Sequence, residues 1–221
     1  MTGSPMPDGD FQERLVSRAK LAGLDVSKPA ASSLDEYFQL LQKWNRRMSL
    51  TSLALDAVSN EAIDRLFIEP LQAAAYLPSR AHVLDVGSGG GSPAIPLKIG
   101  SSGISLVMVE ATIKKAAFLR EVVRQLSLKD VTVEEARVED LTSRPELRAK
   151  ADVATLRAVK TSGKLFEVIS WLTKDAGEVF LFTSDSPMPS DFPAPFREKS
   201  RHSLLPSSRS TLVVLSKESD E

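Results

Sequence analysis

Ala81-His82-Val83-Leu84-Asp85-Val86-Gly87-Ser88-Gly89-Gly90-Gly91-Ser92-Pro93 reads as a short apolar strand that ends in an acid and runs into a glycine cluster. Glycine lets the backbone turn sharply off the strand and leaves room for a ligand to approach the main chain without meeting a Cβ. The same pattern change repeats downstream. Helix is expected over Pro93 to Ile99, strand over Ile104 to Glu110, helix over Thr112 to Ser127 and strand over Val131 to Ala136. Beyond these come strand Asp152 to Leu156, helix Gly163 to Thr173, strand Glu178 to Thr183 and a terminal strand Thr211 to Ser216. Strands alternating with helices imply βαβ units, and so an α/β fold with a mostly parallel sheet and helices on both faces. Pro187, Pro189, Pro193 and Pro195 interrupt any regular element, which makes Ser186 to Phe196 a loop.

Upstream of Ala81 the periodicity is helical from Phe11 to Tyr76. Leu34, Tyr37, Phe38, Leu41, Trp44 and Met48 line one face, and Ser33 with Glu36 reads as a capping box opening that segment. A second helix is expected over Ala57 to Ala75, before Pro78 and Ser79 punctuate the chain. The organisation is therefore a helical extension over 1–80, a ligand-binding domain over 81–217 and a polar tail over 218–221.

Length and composition bound the function. The 221 residues fit one domain with an appendage, and 42% hydrophobic with 26% charged residues supply a core to bury. Twenty-eight basic against 29 acidic residues leave a net charge of -1, so a polyanion would have to be met by local basic patches. The absence of cysteine removes thiolate nucleophiles, Cys-ligated zinc, iron–sulfur clusters and disulfides. His82 and His202 lack the spacing and carboxylate company of a metal site, so no metal is expected. Met1 to Asp10 has no basic region or apolar run, and no 18 apolar residues follow one another, which predicts a cytoplasmic protein.

The glycine turn selects among ligands. About 20 residues past it lies Glu110, placed at a strand end to accept hydrogen bonds from two ribose hydroxyls. The dinucleotide fingerprint G-x-G-x-x-G aims a helix start at a pyrophosphate, whereas Gly87, Gly89 and Gly91 are spaced G-x-G-x-G behind Asp85. That acid repels a phosphate and suits the ammonium end of S-adenosylmethionine. A flexible glycine turn without a ligand is the plain alternative.

Three segments carry a family resemblance. They are Lys43-Trp44-Asn45 with Leu50-Thr51, the run from Asp85 through Pro93-Ala94-Ile95-Pro96-Leu97, and Lys114-Lys115-Ala116-Ala117-Phe118-Leu119-Arg120-Glu121-Val122. Arg137-Val138-Glu139-Asp140-Leu141 and Arg157-Ala158-Val159 continue it. The sequence resembles the RsmG (GidB) family of small-subunit rRNA methyltransferases, which methylate guanine N7. The resemblance implies a class I, Rossmann-like methyltransferase domain with an N-terminal helical extension, S-adenosylmethionine as methyl donor, and a 16S rRNA guanosine, in free RNA or the 30S subunit, as acceptor. It implies further that Gly87 and Ser92, at the two ends of the turn Gly87-Ser88-Gly89-Gly90-Gly91-Ser92, contact the methionine part of the donor. Val138 and Glu139 would lie along the adenine, and Arg157 would face the reacting groups as the catalytic candidate.

The chain departs from the family pattern at Ser49, in Leu66-Phe67-Ile68-Glu69-Pro70 where the family has His-Phe-x-Asp-Ser, and in Thr183-Ser184-Asp185-Ser186 where it has Lys-Gly. A cofactor-binding, RNA-associated protein with lost transfer, and a small-molecule methyltransferase, are the alternatives.

Guanine N7 carries an in-plane lone pair and no proton, so no general base is required. Lys114, Lys115, Arg120 and Arg124 form a basic strip outward of a helix whose buried face is Ile113, Ala116, Leu119, Val123 and Leu126. Arg46-Arg47 and Arg197-Lys199-Arg201-His202 are further basic candidates for RNA contact. The protein is expected to be a monomer. Replacing Arg157 by Ala should abolish transfer with the fold intact, and replacing Gly89 by Val should weaken donor binding by crowding the turn.

Overall fold

The computed structural model describes residues 8–55, 59–184, 192–205 and 210–218. Most of the Pro-rich segment, the start of the chain, Ala57 and the last three residues of the polar tail lie outside the described residues. Seven strands among the described residues form one sheet in the order β3-β2-β1-β4-β5-β7-β6. They are β1 (His82–Val86), β2 (Ser105–Val109), β3 (Val131–Glu134), β4 (Ala151–Arg157), β5 (Thr173–Ser184), β6 (Phe196–Ser203) and β7 (Ser210–Lys217). The first five positions in that order pair in parallel; β7 runs antiparallel to both β5 and β6. Strand order reverses at β1, between β2 and β4, which is where open α/β sheets take their ligands.

Alternation along the strands assigns their two faces. Leu84, Val86, Ala154, Leu156, Val179 and Leu181 pack against α7 (Gly163–Leu172) through Phe166 and Ile169. Val83, Leu106 and Met108 face the opposite layer, built by α1 (Asp8–Leu21), α2 (Lys28–Asn45), α3 (Asn60–Ile63), α4 (Glu69–Ala73), α5 (Ala94–Gly100) and α6 (Ile113–Gln125). Phe11 and Leu15 of α1, and Leu34 and Phe38 of α2, share one continuous core with those strand residues. The helical extension therefore covers a sheet face. Phe11 stacks on Phe38 at 4.3 Å between ring centroids, and Phe67 meets both rings edge-on.

Several local expectations are corrected. Helix α2 begins at Lys28, capped by Ser27, whose hydroxyl accepts from the Ala30 N–H, with Pro29 in the first turn. Ser33 and Glu36 lie inside that helix, so the capping box does not form. Proline is at home in a first helical turn, where its missing N–H has no partner to lose. The single helix expected over Ala57 to Ala75 is a composite: α3, a π-helical turn Asp64–Ile68, α4 and a 3-10 turn Ala74–Tyr76. The π turn ends at Ile68, two residues before Pro70, which cannot donate to a helical ladder.

The basic run Arg197-Lys199-Arg201-His202 lies on strand β6. Its sequence, Phe196-Arg197-Glu198-Lys199-Ser200-Arg201-His202-Ser203, has a single apolar residue, because it is an edge strand blunted by charge. Ile113 is 68% exposed, not part of the buried face of α6. It is the first residue of the helix, ahead of the turn where the apolar stripe meets the sheet.

Candidate active site

β1 delivers the chain into the glycine turn at the carboxyl edge of the sheet. Gly87 and Ser88 donate their backbone N–H groups to the Val109 carbonyl, at 2.9 and 3.0 Å, which ties the turn to the end of β2. Gly87, Gly89 and Gly91 all have positive φ. Gly91 takes a φ of +90°, which side-chain-bearing residues rarely adopt, and a Cβ there would also stand 2.4 Å from Ile95 Cδ1, which would have to move. The Tyr37 hydroxyl, on fully buried Tyr37 of α2, donates to the Gly90 carbonyl at 2.5 Å. Burial and the nearby Asp85 charge push that phenol far above its ordinary range, so it stays a donor.

The segment after α2 completes one wall. Asn45 Oδ1 accepts from the N–H groups of Leu50 and Thr51, at 2.8 and 3.1 Å, and folds this loop over the turn. A Cβ on Gly90 would meet the Leu50 carbonyl at 3.0 Å. The result is a cleft of about 320 Å³ lined by Leu50, Thr51, Gly87, Ser88, Gly89, Ser92, Lys115 and Arg157 among others.

The expected site residues divide into three groups. Gly87, Ser88, Gly89, Ser92 and Arg157 line this cleft together. Asp85, Gly91 and Glu110 support it from behind. Asp85 is 1% exposed and accepts from the Thr155 hydroxyl at 2.5 Å through Oδ1; among the described residues Oδ2 has no hydrogen-bond partner, and the Ser88 hydroxyl donates to the Asp85 main-chain carbonyl at 3.2 Å. Burial raises its pKa, against the hydrogen bond from Thr155 and the charge of Arg157. Glu110 braces the turn: Oε2 accepts from the Gly89 N–H at 2.9 Å and Oε1 from the Thr112 N–H at 2.8 Å. Val138 and Glu139 form the third group. They begin a 3-10 helix (Val138–Ser143), Val138 buried against the α7 layer and Glu139 exposed, and neither lines the cleft.

Arg157, at the end of β4, lies within the protein rather than at its surface. Its Nη2 donates to Glu69 Oε2 at 2.8 Å, its Nη1 donates to the Arg65 carbonyl, and its guanidinium sits 4.5 Å from the centre of the Phe182 ring. Burial weakens its hold on the proton and Glu69 strengthens it; a guanidinium stays cationic throughout. Burial likewise pushes the Glu69 carboxyl up, while Arg157, the Ser210 hydroxyl and Arg65 pull it back.

Sequence reasoning did not identify Tyr37, Asn45, Glu69 or Thr155 as parts of the site. Asn45 belonged to a quoted motif whose physical reason is now visible, and Glu69 lies in the run Leu66 to Pro70 noted as a departure from the family pattern, though its pairing with Arg157 across 88 residues of sequence was not foreseen. The basic strips also resolve. Arg120 pairs with Glu135 and Arg124 with Glu121, and Arg197, Lys199 and Arg201 pair with Glu218, Glu178 and Glu198. Of the strip on α6, Lys115 reaches the cleft wall.

The family described as GidB, rRNA small subunit methyltransferase G, matches residues 30–188. This chain belongs to the rRNA small subunit methyltransferase G family. A Ribosomal RNA small subunit methyltransferase G from Neisseria meningitidis is 34% identical over 171 residues, 75% of this chain and 76% of the relative. Two solved structures are similar in fold. A SAM-dependent methyltransferase from Aquifex aeolicus has a TM-score of 0.54 at 16% identity, covering 69% of this chain and 90% of its own. P. horikoshii TYW2 in complex with MeSAdo has a TM-score of 0.54 at 14% identity, covering 68% and 62%.

Proposed function

We propose that this methyltransferase G family member transfers a methyl group from S-adenosylmethionine to N7 of a guanosine in 16S rRNA, presented as free RNA or within the 30S subunit. The observation that carries the reading is the glycine turn with its buried acid. Among the described residues Asp85 Oδ2 is an acceptor with no donor, and a ligand ammonium is the group that matches it. Three positive-φ glycines leave the main chain bare where a methionine moiety would lie. Gly87, Ser88, Gly89, Gly91 and Ser92 would hold that moiety. Each Glu110 oxygen keeps a second lone pair for a ribose hydroxyl, and Val138 and Glu139, which follow β3, would lie along the adenine.

Bound S-adenosylmethionine supplies an electrophilic sulfonium methyl. The chain's own contribution is alignment and exclusion of water, worth up to roughly 7–11 kcal/mol in favourable systems. Arg157 donates toward guanine O6 and leaves the N7 lone pair free. Attack by that lone pair calls for neither a base nor a metal. Lys115 at the cleft wall draws the RNA backbone in.

A monomer in the cytoplasm fits this reading. The large exposed apolar residues among those described, Leu21, Tyr76 and Ile113, stand on separate elements, and no described helix is long and apolar enough to cross a membrane.

The test incubates the protein with labelled S-adenosylmethionine and with 30S particles, or free 16S rRNA, lacking this modification, and maps the label. Label at N7 of one 16S guanine is expected. Donor binding without transfer to any RNA would replace this reading with that of a binding protein.

A further inference from the structure

Beside the donor cleft lies a second cavity of about 380 Å³, and Arg65, Arg157 and Ala158 line both. It opens at the carboxyl ends of β4 and β5. Leu156, Leu181 and Phe182 supply apolar surface on which a flat ring can rest, while Glu69, Arg157 and Lys160 bring charge to its walls. An apolar hollow of this size with a few convergent polar groups is the usual form of a small-ligand site.

Its most unusual member is Glu69. The residue is 2% exposed, its Oε2 is held by Arg157 at 2.8 Å and the Ser210 hydroxyl also supports the carboxylate, yet among the described residues Oε1 is buried and completes no hydrogen bond. A buried carboxylate oxygen left in that state lacks a donor. The pair Arg157 and Glu69 thus offers, side by side, a donor and an acceptor. The Watson–Crick edge of guanine carries the complement in the same order: O6 accepts, and N1–H and the N2 amine donate. Adenine reverses it, with a donor at N6 and an acceptor at N1.

We propose that this second cavity is the acceptor-base pocket, and that Glu69 selects guanine by accepting from its N1–H and N2 amine while Arg157 holds O6. This rests on the reading of the protein as a guanine methyltransferase. The orientation turns N7, on the far side of O6 from the amine, away from Glu69 and leaves it free to meet the methyl group.

The experiment compares kcat/KM for 16S rRNA ligated to carry guanosine or inosine at the acceptor position. Inosine keeps N7, O6 and N1–H and lacks only the N2 amine. Wild-type protein is expected to prefer guanosine by about 10–100-fold, the value of a hydrogen bond to a charged group. Glu69→Gln should shrink that preference severalfold while the affinity for S-adenosylmethionine stays within about twofold. Equal kcat/KM for the two bases in wild type overturns the proposal without reference to any variant. A Glu69→Gln protein that loses rate equally on both, with the ratio intact, also overturns it and assigns Glu69 to holding Arg157. Wild-type protein that methylates neither RNA overturns the guanine reading itself, and this proposal with it.

Discussion

Glycine at 91 is demanded by both contact and conformation. Its φ of +90° falls where side-chain-bearing residues are strained, and a Cβ would run into Ile95. Gly91→Ala is expected to destabilise the protein by about 1–3 kcal/mol from backbone strain alone, with overlap adding to it, read as a shift in the urea midpoint. Gly89 differs, since a Cβ there meets only the Gly87 carbonyl at 3.7 Å. The crowding expected of Gly89→Val is absent from the protein itself, so any loss of donor affinity in that variant comes from backbone strain or from contact with the ligand. Arg157 also needs a revised expectation. Its side chain bridges β4 to the helical layer through Glu69 and the Arg65 carbonyl. Arg157→Ala removes one partner of a buried ion pair and is expected to cost about 3–5 kcal/mol in denaturant unfolding, so lost transfer in that variant must be read beside its stability.

Among the elements, the helical layer does more than cover the sheet. Helix α2 reaches the glycine turn through Tyr37 and, through Asn45, sets the loop that walls the cleft. Tyr37→Phe keeps the packing against Phe67 and deletes one hydrogen bond. It is expected to lower stability by about 1 kcal/mol and to weaken donor binding in calorimetry, because Gly90 then loses its anchor. Unchanged donor affinity would separate α2 from the site.

The elements also show where sequence reading succeeds. β1, β2 and β4 have strong apolar runs in a parallel sheet buried on both faces, and their places were legible to within a residue or two. β6 was not, because a charged edge strand has almost no hydrophobic period. The segment over Asn60 to Tyr76 reads as one helix because side-chain spacing barely registers the extra residue of a π turn. The glycine turn was legible since local conformation dictates its residues, whereas the Glu69–Arg157 pair arises from tertiary contact.

At the scale of the whole molecule, N-terminal helices and sheet share one core, and the glycine turn buries an acid between them. That choice has a pH signature. Burial sets the folded pKa of Asp85 above its unfolded value near 4. A carboxyl raised in this way favours folding most when protonated. Its contribution is therefore present below about pH 4 and is lost as pH rises through the folded value. Asp85→Asn is expected to be more stable than wild type at pH 8 and to lose much of that advantage toward pH 4, compared by urea unfolding at both. A variant equally or less stable at both would show that Asp85 is well compensated where it lies. The benefit of keeping the acid, a counter-charge for the donor's ammonium, should then appear as weaker S-adenosylmethionine binding by Asp85→Asn.

The most direct measurement is a crystal structure of the protein with S-adenosylhomocysteine. The account predicts that the amino-acid end lies against Gly87 to Ser92 with its ammonium close to Asp85, and that the ribose reaches Glu110. A ligand bound elsewhere, or seated in that cleft with its amino-acid end turned away from Asp85, would contradict it.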